Sequence, residues 1–263
     1  MRPYVAMLGA RFRMLLQYRA AALAGFGTQL FFGYVIVMGY KALYAATSQP
    51  QPMSLQEVIS YVWLGQAMLA LMPWRSDGDV ASMIRSGQVA SELLRPVDLY
   101  WMWYSRTLAQ RIAPTILRAL PLFIVAGLFL GLQAPAGWAG FSAWLAATFC
   151  ALLLAAAVSC LATISMFWTI SGGGVNNLLP GVVWFFSGML VPLPLMPDWL
   201  RQILEWLPFR AIVDIPFRLY LGHIPAESVW SMMVIQLTWA ATLILIGQAV
   251  LQLGVRRVVV QGG

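Results

Sequence analysis

Charge is what this chain has least of. Asp, Glu, Lys and Arg make up 10% of its 263 residues and hydrophobic residues 61%, whereas soluble domains carry roughly 25% charge. That balance excludes a soluble globular domain and specifies an integral membrane protein. Histidine is almost absent too, with His223 alone, and the cysteines are Cys150 and Cys160. Without a CxxC pair or a histidine cluster, no metal site is expected. On one helix the two cysteines would stand ~15 Å apart, too far to bridge, so they read as small core residues. No HExxH, GxSxG or Walker A pattern occurs. Gly172-Gly173-Gly174 lacks the lysine and preceding strand of a phosphate loop and reads as a hinge. The N-terminus spreads its arginines through MRPYVAMLGARFRMLLQYR, which is not the pattern of a cleavable signal peptide. The formal net charge of +7 lies beside hydrophobic runs, so it bears on membrane orientation and nucleic acid is not an expected partner.

What is there is a series of apolar runs. Residues 1–19 read as an amphipathic helix at the membrane surface, with Arg2, Arg11, Arg13 and Arg19 among Tyr4, Leu8, Phe12 and Leu15. Ala20–Tyr40 carries no charge and suits a first span. Val58–Pro73 is a second, shorter run. Arg106, Arg111 and Arg118 then lead into Ala119–Pro197, which has no charged residue. Breaks at Gln133–Gly140 and Ser171–Asn177 divide it, the second because glycine and asparagine weaken a helix. The third span is therefore expected at about 119–132 with a somewhat earlier start, the fourth at about 141–170, and a short fifth at 178–191. Prolines in Pro192–Pro197 stop the fifth, and residues 192–227 read as a re-entrant hairpin. Asp198, Glu205 and Asp214 are expected there as solvated or mutually paired partners of Arg201, Arg210 and Arg218. Residues 228–255 give the last span. The expected fold is all-α, with six transmembrane helices in one domain over residues 1–263.

The polar interruption Trp74–Trp103 stands apart from these runs. Residues 75–98 read as two short helices, the first capped by Asp77 or Asp79 and stopped at Ser86-Gly87, the second from about Gln88 to Leu94. Val80, Met83 and Ile84 share one face of the first. With both termini inside, the inner loops hold twelve arginines and the outer ones four basic residues (Lys41, Arg201, Arg210, Arg218). The positive-inside rule then makes residues 75–98 cytoplasmic and the hairpin external. No ionisable side chain falls at the middle of an expected span, which disfavours proton- or ion-coupled transport. Among uncharged polar and aromatic residues in the spans, Gln29, Gln66, Trp184, Phe185 and Phe186 are candidates for lining a path for a hydrophobic or amphipathic substrate.

Two segments carry a resemblance: GDVASMIRSGQVASELLRPVDL (Gly78–Leu99) and SGMLVPLPLMPDWLRQILEWLPF (Ser187–Phe209). On these the chain resembles the ABC-2 type permeases, the membrane subunits of ATP-driven exporters, in the six-span branch whose members often pair with a separate ATPase. The resemblance implies a coupling helix at Asp79, Val80, Met83, Ile84 and Arg85, docked on a nucleotide-binding subunit, with residues 1–19 as a second contact. It also implies two ATPase copies, which would hold ATP and Mg, while this chain binds no cofactor. A second permease, a paralogue or another copy, would complete the pathway in the bacterial inner membrane. The alternatives in the residues themselves are an ion-coupled secondary transporter and a membrane enzyme acting on lipid. A hydrophobic drug, a cationic xenobiotic, a peptide or a lipid conjugate would all fit as substrate.

Overall fold

The computed structural model describes residues 2–74, 76–169 and 173–256; Arg75, the start of the Ser171–Asn177 break and Arg257 lie outside the described residues. Among the described residues the fold is entirely helical. α1 (Arg2–Leu16), α2 (Arg19–Ala46) and α3 (Leu55–Ala67) are followed by two short helices, α4 (Gly78–Arg85) and α5 (Val89–Leu93). Then come α6 (Leu99–Phe129), α7 (Gly137–Ile164), α8 (Gly173–Phe186), α9 (Asp198–Glu205), α10 (Asp214–Leu221) and α11 (Val229–Val255).

Four helices are long and apolar enough to cross a membrane: Ala20–Ala46 in α2, α6, Gly137–Phe167 (α7 with its 3-10 extension) and Ala226–Val255 around α11. α3 and α8 are shorter, about 20 Å each. The count of six expected from apolar runs thus becomes four long helices and two short ones. α3 ends early because a 3-10 turn at Leu69–Leu71 and Pro73 replace its next turns.

Two further expectations change. α6 begins at Leu99, about twenty residues before 119 and not merely somewhat earlier. It is one helix from an Asp98 N-cap, which accepts from the Trp101 amide at 3.0 Å. Arg106, Arg111 and Arg118 all lie inside it, so a charged residue does stand deep within a span. The Ser171–Asn177 break is narrower than expected, since α8 already includes Gly173, Gly174 and Asn177. Its next turns, Leu178–Phe186, are apolar apart from Pro180, and their packing overrides the low helix propensity of glycine.

α3 sits at the centre. Ten consecutive residues, Val58 to Ala67, are buried, the condition of a helix surrounded on every side. Ser54 and Glu57 close a capping box at its start, with the Ser54 amide on Glu57 Oε2 at 2.6 Å. At Gly33 of α2, a Cβ would lie 2.5 Å from the Trp63 ring, so only glycine lets α2 and α3 approach this closely. α7 and α11 make the most extensive helix pair. α7 contributes Ala143, Ala147, Ala151 and Ala155, all buried, the small residues that allow close helix contact in lipid.

The bundle has two distinct ends. At one, α1 and α4 surround the start of α6 and the end of α7. At the other, α10 covers the α6–α7 loop. There Tyr220 donates its hydroxyl to the Gln133 carbonyl and accepts the Ala136 amide on its own carbonyl. Cys150 and Cys160 are buried and free, on the single helix α7.

Candidate functional site

At the α1–α4 end, Asp77 organises a buried polar joint. Its side chain is 4% exposed as a residue and accepts from four donors. Oδ1 caps α4 by taking the amides of Asp79 and Val80 at 3.0 and 3.3 Å. Oδ2 takes Arg106 Nε at 3.2 Å and Gln110 Nε2 at 2.9 Å, both from α6. The Asp77 amide donates to Thr163 Oγ1 of α7 at 3.1 Å. A carboxylate with four donors, one of them a guanidinium, is held firmly in place. Arg106 also reaches Asp79 at 3.0 Å, and Arg11 of α1 pairs with the same Asp79 oxygen. The Arg11 guanidinium holds the Asp79 carboxyl below the usual carboxylate range, with Arg106 adding to the effect against some burial. Next along α6, Arg111 donates to the Thr107 carbonyl at 3.1 Å and to the Ser159 hydroxyl of α7. The joint therefore ties α1, α4, α6 and α7 into one unit. Tyr4 adds a tie at the other edge, its hydroxyl accepting the Asp98 amide at 3.0 Å.

The sequence-predicted residues of α4 divide in two. Asp79 and Arg85 are exposed, with Ser82 between them. Val80 is 0% exposed, in a cluster with Val89, Trp103 and Ile164, and Met83 and Ile84 are half-buried against it. The apolar ridge expected to face a partner at Val80 is turned into the chain's own core. The reason is the anchor at Asp77: once the cap is fixed on α6, the helix can rotate only so that its apolar face meets Trp103. Sequence periodicity identified the face but not its direction. The arginines that make the joint, Arg106 and Arg111, were counted only as flanking positive charge. Their signal was a spacing of i, i+5 beside Gln110, set within a run otherwise apolar and aromatic.

A second site lies between α2, α3 and α8. A cavity of about 330 Å³ is walled by Thr28, Gln29, Phe32 and Ile36 of α2, Val62 and Gln66 of α3, Leu69, Trp74, and Trp184, Met189 and Leu190. Its size is that of a small-molecule pocket. Three of the five path residues expected from sequence, Gln29, Gln66 and Trp184, meet here. Trp184 stands edge-on to Trp74, with ring centroids 6.0 Å apart. Phe185 and Phe186 do not line it. Phe186 stacks on Phe209 of the hairpin segment and Phe185 is turned outward. Consecutive helical residues point about 100° apart, so three in a row never share one wall. Gln29 is 2% exposed and neither atom of its amide has a hydrogen-bond partner.

At the far end, the acidic residues of the hairpin segment pair locally. Asp198 and Arg201 are 2.7 Å apart, Glu205 and Arg210 3.5 Å, Asp214 and Arg218 3.6 Å. His223 meets Glu57 at 2.8 Å. Among the described residues no group of histidine, cysteine and carboxylate side chains is placed to hold a metal ion, nor does any cluster juxtapose a nucleophile and a base.

The sequence model of a family described as "ABC-2 family transporter protein" matches residues 30–262. No curated protein and no solved structure matches the chain.

Proposed function

The chain belongs to the ABC-2 transporter family, a family of membrane components that work with an ABC ATPase, and we propose that it is a permease subunit driven by a separate ATPase, with α4 as the moving contact. The observation that carries this is the joint at Asp77. A helix that merely lay on lipid headgroups would need no buried tie to two spans. A helix that must hand force to them does. Push α4, and the Asp77–Arg106 pair moves α6, Thr163 moves α7, and Arg11 moves α1. Docking would use the face left open, Asp79, Ser82 and Arg85, with the edges of Met83 and Ile84, while Val80 serves as the internal anchor.

Six crossings are supported by where α3 is tied. Two of its side chains bond to the end of α6, Gln56 Nε2 to the Gly131 carbonyl at 2.6 Å and Trp63 Nε1 to the Leu130 carbonyl at 3.0 Å. Asp77 bonds to α6 at Arg106 and Gln110. Those levels differ by about 30–36 Å along α6, the thickness of a bilayer's hydrocarbon core. Residues 56–77 thus run antiparallel to α6 across the same depth. α8 leads likewise from the end of α7 to Leu190, whose carbonyl accepts from Tyr40 of α2 at 3.1 Å. The positive-inside count puts α1, α4 and both termini in the cytoplasm, with residues 192–227 as a re-entrant external hairpin. The setting is a bacterial inner membrane. ATP and Mg reside on two copies of the ATPase, and a second permease, a paralogue or another copy, faces the α2–α3–α8 cavity to complete a path for a hydrophobic or amphipathic substrate. Arg118 does not revive the ion-coupled alternative, because a guanidinium does not give up its proton in a protein.

The test is co-purification from gently solubilised membranes. A stoichiometric ATPase is expected with wild type. Arg85→Glu and Ser82→Trp, on the open face, should lose it while the spans stay folded by size-exclusion profile. A lone permease without ATPase activity, or full activity in both variants, sinks the docking assignment.

A further inference from the structure

Arg118 stands on α6 between Pro114 and Pro121, with the helix's last residue Phe129 about 17 Å further on. Its guanidinium rests on α2 at Gly25, where a Cβ would lie 2.5 Å from Cζ. The missing side chain at Gly25 is what admits the group between the two helices. Among the described residues no carboxylate pairs with it, and its buried Nε has no hydrogen-bond partner. A permanently charged side chain at this depth calls for a counter-charge.

The cavity described above begins one turn away. Gly25, Gln29, Phe32 and Ile36 follow one another at helical spacing on one face of α2, and the last three wall the cavity. The guanidinium therefore continues that wall toward the start of α2, the inner-leaflet side in the proposed orientation. Among the described residues no charged side chain lines the cavity itself. Its polar groups are Thr28, Gln29 and Gln66, with the indoles of Trp74 and Trp184, and the Gln29 amide is buried without a partner. A cation of α6 that lies against Gly25 of α2 without a carboxylate partner, and an unpaired amide one turn further along that face of α2, have one kind of occupant in common.

We propose that Arg118, Gln29 and this cavity form a recognition site for amphipathic anions. The guanidinium takes a carboxylate or phosphate head, as arginine does in preference to lysine wherever a forked donor meets two oxygens, and the cavity takes the apolar body. The inference rests on the reading of the cavity as part of the substrate path. It narrows that reading: with no carboxylate on the wall and a fixed positive charge at the mouth, amphipathic cations are selected against. The anion has two sources, a transported molecule or a phospholipid of the inner leaflet whose phosphate stays on Arg118.

The experiment uses the intact transporter complex in nanodiscs of zwitterionic phospholipid, with binding of radiolabelled dodecyl phosphate competed by dodecanol and by dodecyltrimethylammonium. Dodecyl phosphate is expected to bind at least tenfold more tightly than the ammonium probe. Arg118→Gln should remove that preference and Arg118→Lys restore part of it, each variant being checked for an unchanged size-exclusion profile. Equal affinity of the phosphate and ammonium probes for wild type overturns the proposal. Thr28→Trp, which fills the cavity from an exposed position, separates the two readings. If it leaves every probe bound, the cavity reading itself fails. If it blocks all probes while Arg118→Gln changes none, only the selection of anions fails. Native mass spectrometry assigns the source: an anionic phospholipid kept by wild type, lost from Arg118→Gln and displaced by dodecyl phosphate places a resident lipid on the guanidinium, whereas loss of the phosphate preference in Arg118→Gln with no phospholipid kept by wild type makes the anion a ligand of the path.

Discussion

Asp77 and Asp214 are the same side chain at opposite ends of the bundle, each near two arginines, and they are held in opposite ways. Asp77 accepts from four donors and has Arg106 at 3.2 Å. Asp214, 0% exposed at the start of α10, has no hydrogen-bond partner on either oxygen. Arg218 stops at 3.6 Å, and Arg210 is engaged with Glu205. Burial pushes the Asp214 carboxyl up to about 6, against the pull of Arg218 and Arg210 and with Glu205 adding to the rise. One end is a joint whose acceptor oxygens are filled with donors, suited to carrying displacement. The other holds a charge that its surroundings barely support, suited to changing state within a modest pH range.

The largest break in that comparison should come from Asp77→Ala. It leaves Arg106 with only the exposed Asp79, takes the acceptor from Gln110 and uncaps α4, which together are worth roughly 3–5 kcal/mol. Thermal unfolding in nanodiscs should drop accordingly, and an unchanged melting temperature would refute the joint. Next is the pH response of the hairpin end. The folded-state value of Asp214 lies above its unfolded value, so its contribution is fully present below about pH 4 and is lost as pH rises to about 6. Stability should fall by on the order of 3 kcal/mol across that window and level off above it. Asp214→Asn should flatten this part of the profile, and hydrogen exchange at α10 measures it locally. The paired asparagine swap sharpens the contrast further. Asp77→Asn should destabilise by about 1–3 kcal/mol at pH 8, because an amide replaces an acceptor with a donor facing donors. Asp214→Asn at the same pH should be neutral or stabilising, since it removes an ill-supported charge. The smallest effect is expected at the rim of the joint. Arg11→Ala should cost no more than about 1 kcal/mol, with the difference shrinking at high salt, because Asp79 is largely exposed and keeps Arg106.

How far the sequence reveals this depends on which force decides each feature. α2, α7 and α11 were legible because lipid acts on composition alone, and long uncharged runs answer to it directly. Asp77 as a cap and Ser86-Gly87 as a stop were legible because both are local backbone chemistry, and Gly87 has φ 74°. The start of α6 was hidden because hydropathy reads Arg106 and Arg111 as the end of a span. Their charges are met by Asp77 and Asp79 and by Ser159, which lie 27 to 48 residues away. Val80 shows the same limit from the other side: its helical face follows from spacing, but which neighbour that face meets is decided by the tie at Asp77. Gln29 and Gln66 stood out as polar residues in apolar runs. What brings them to one cavity is the close approach at Gly33, where glycine in an apolar run gave no warning of Trp63 above it.

The shortness of α3 has a consequence for biogenesis. A 13-residue helix carrying Gln56, Glu57 and Gln66 is too short to partition into lipid by itself. The groups that complete it, the carbonyls of Leu130 and Gly131, are translated more than sixty residues after it. During synthesis α3 must therefore wait at the translocon or at the membrane surface until α6 has entered. The ribosome delivers the innermost helix of the bundle before the walls that will hold it, and seating α3 becomes a late step in assembly.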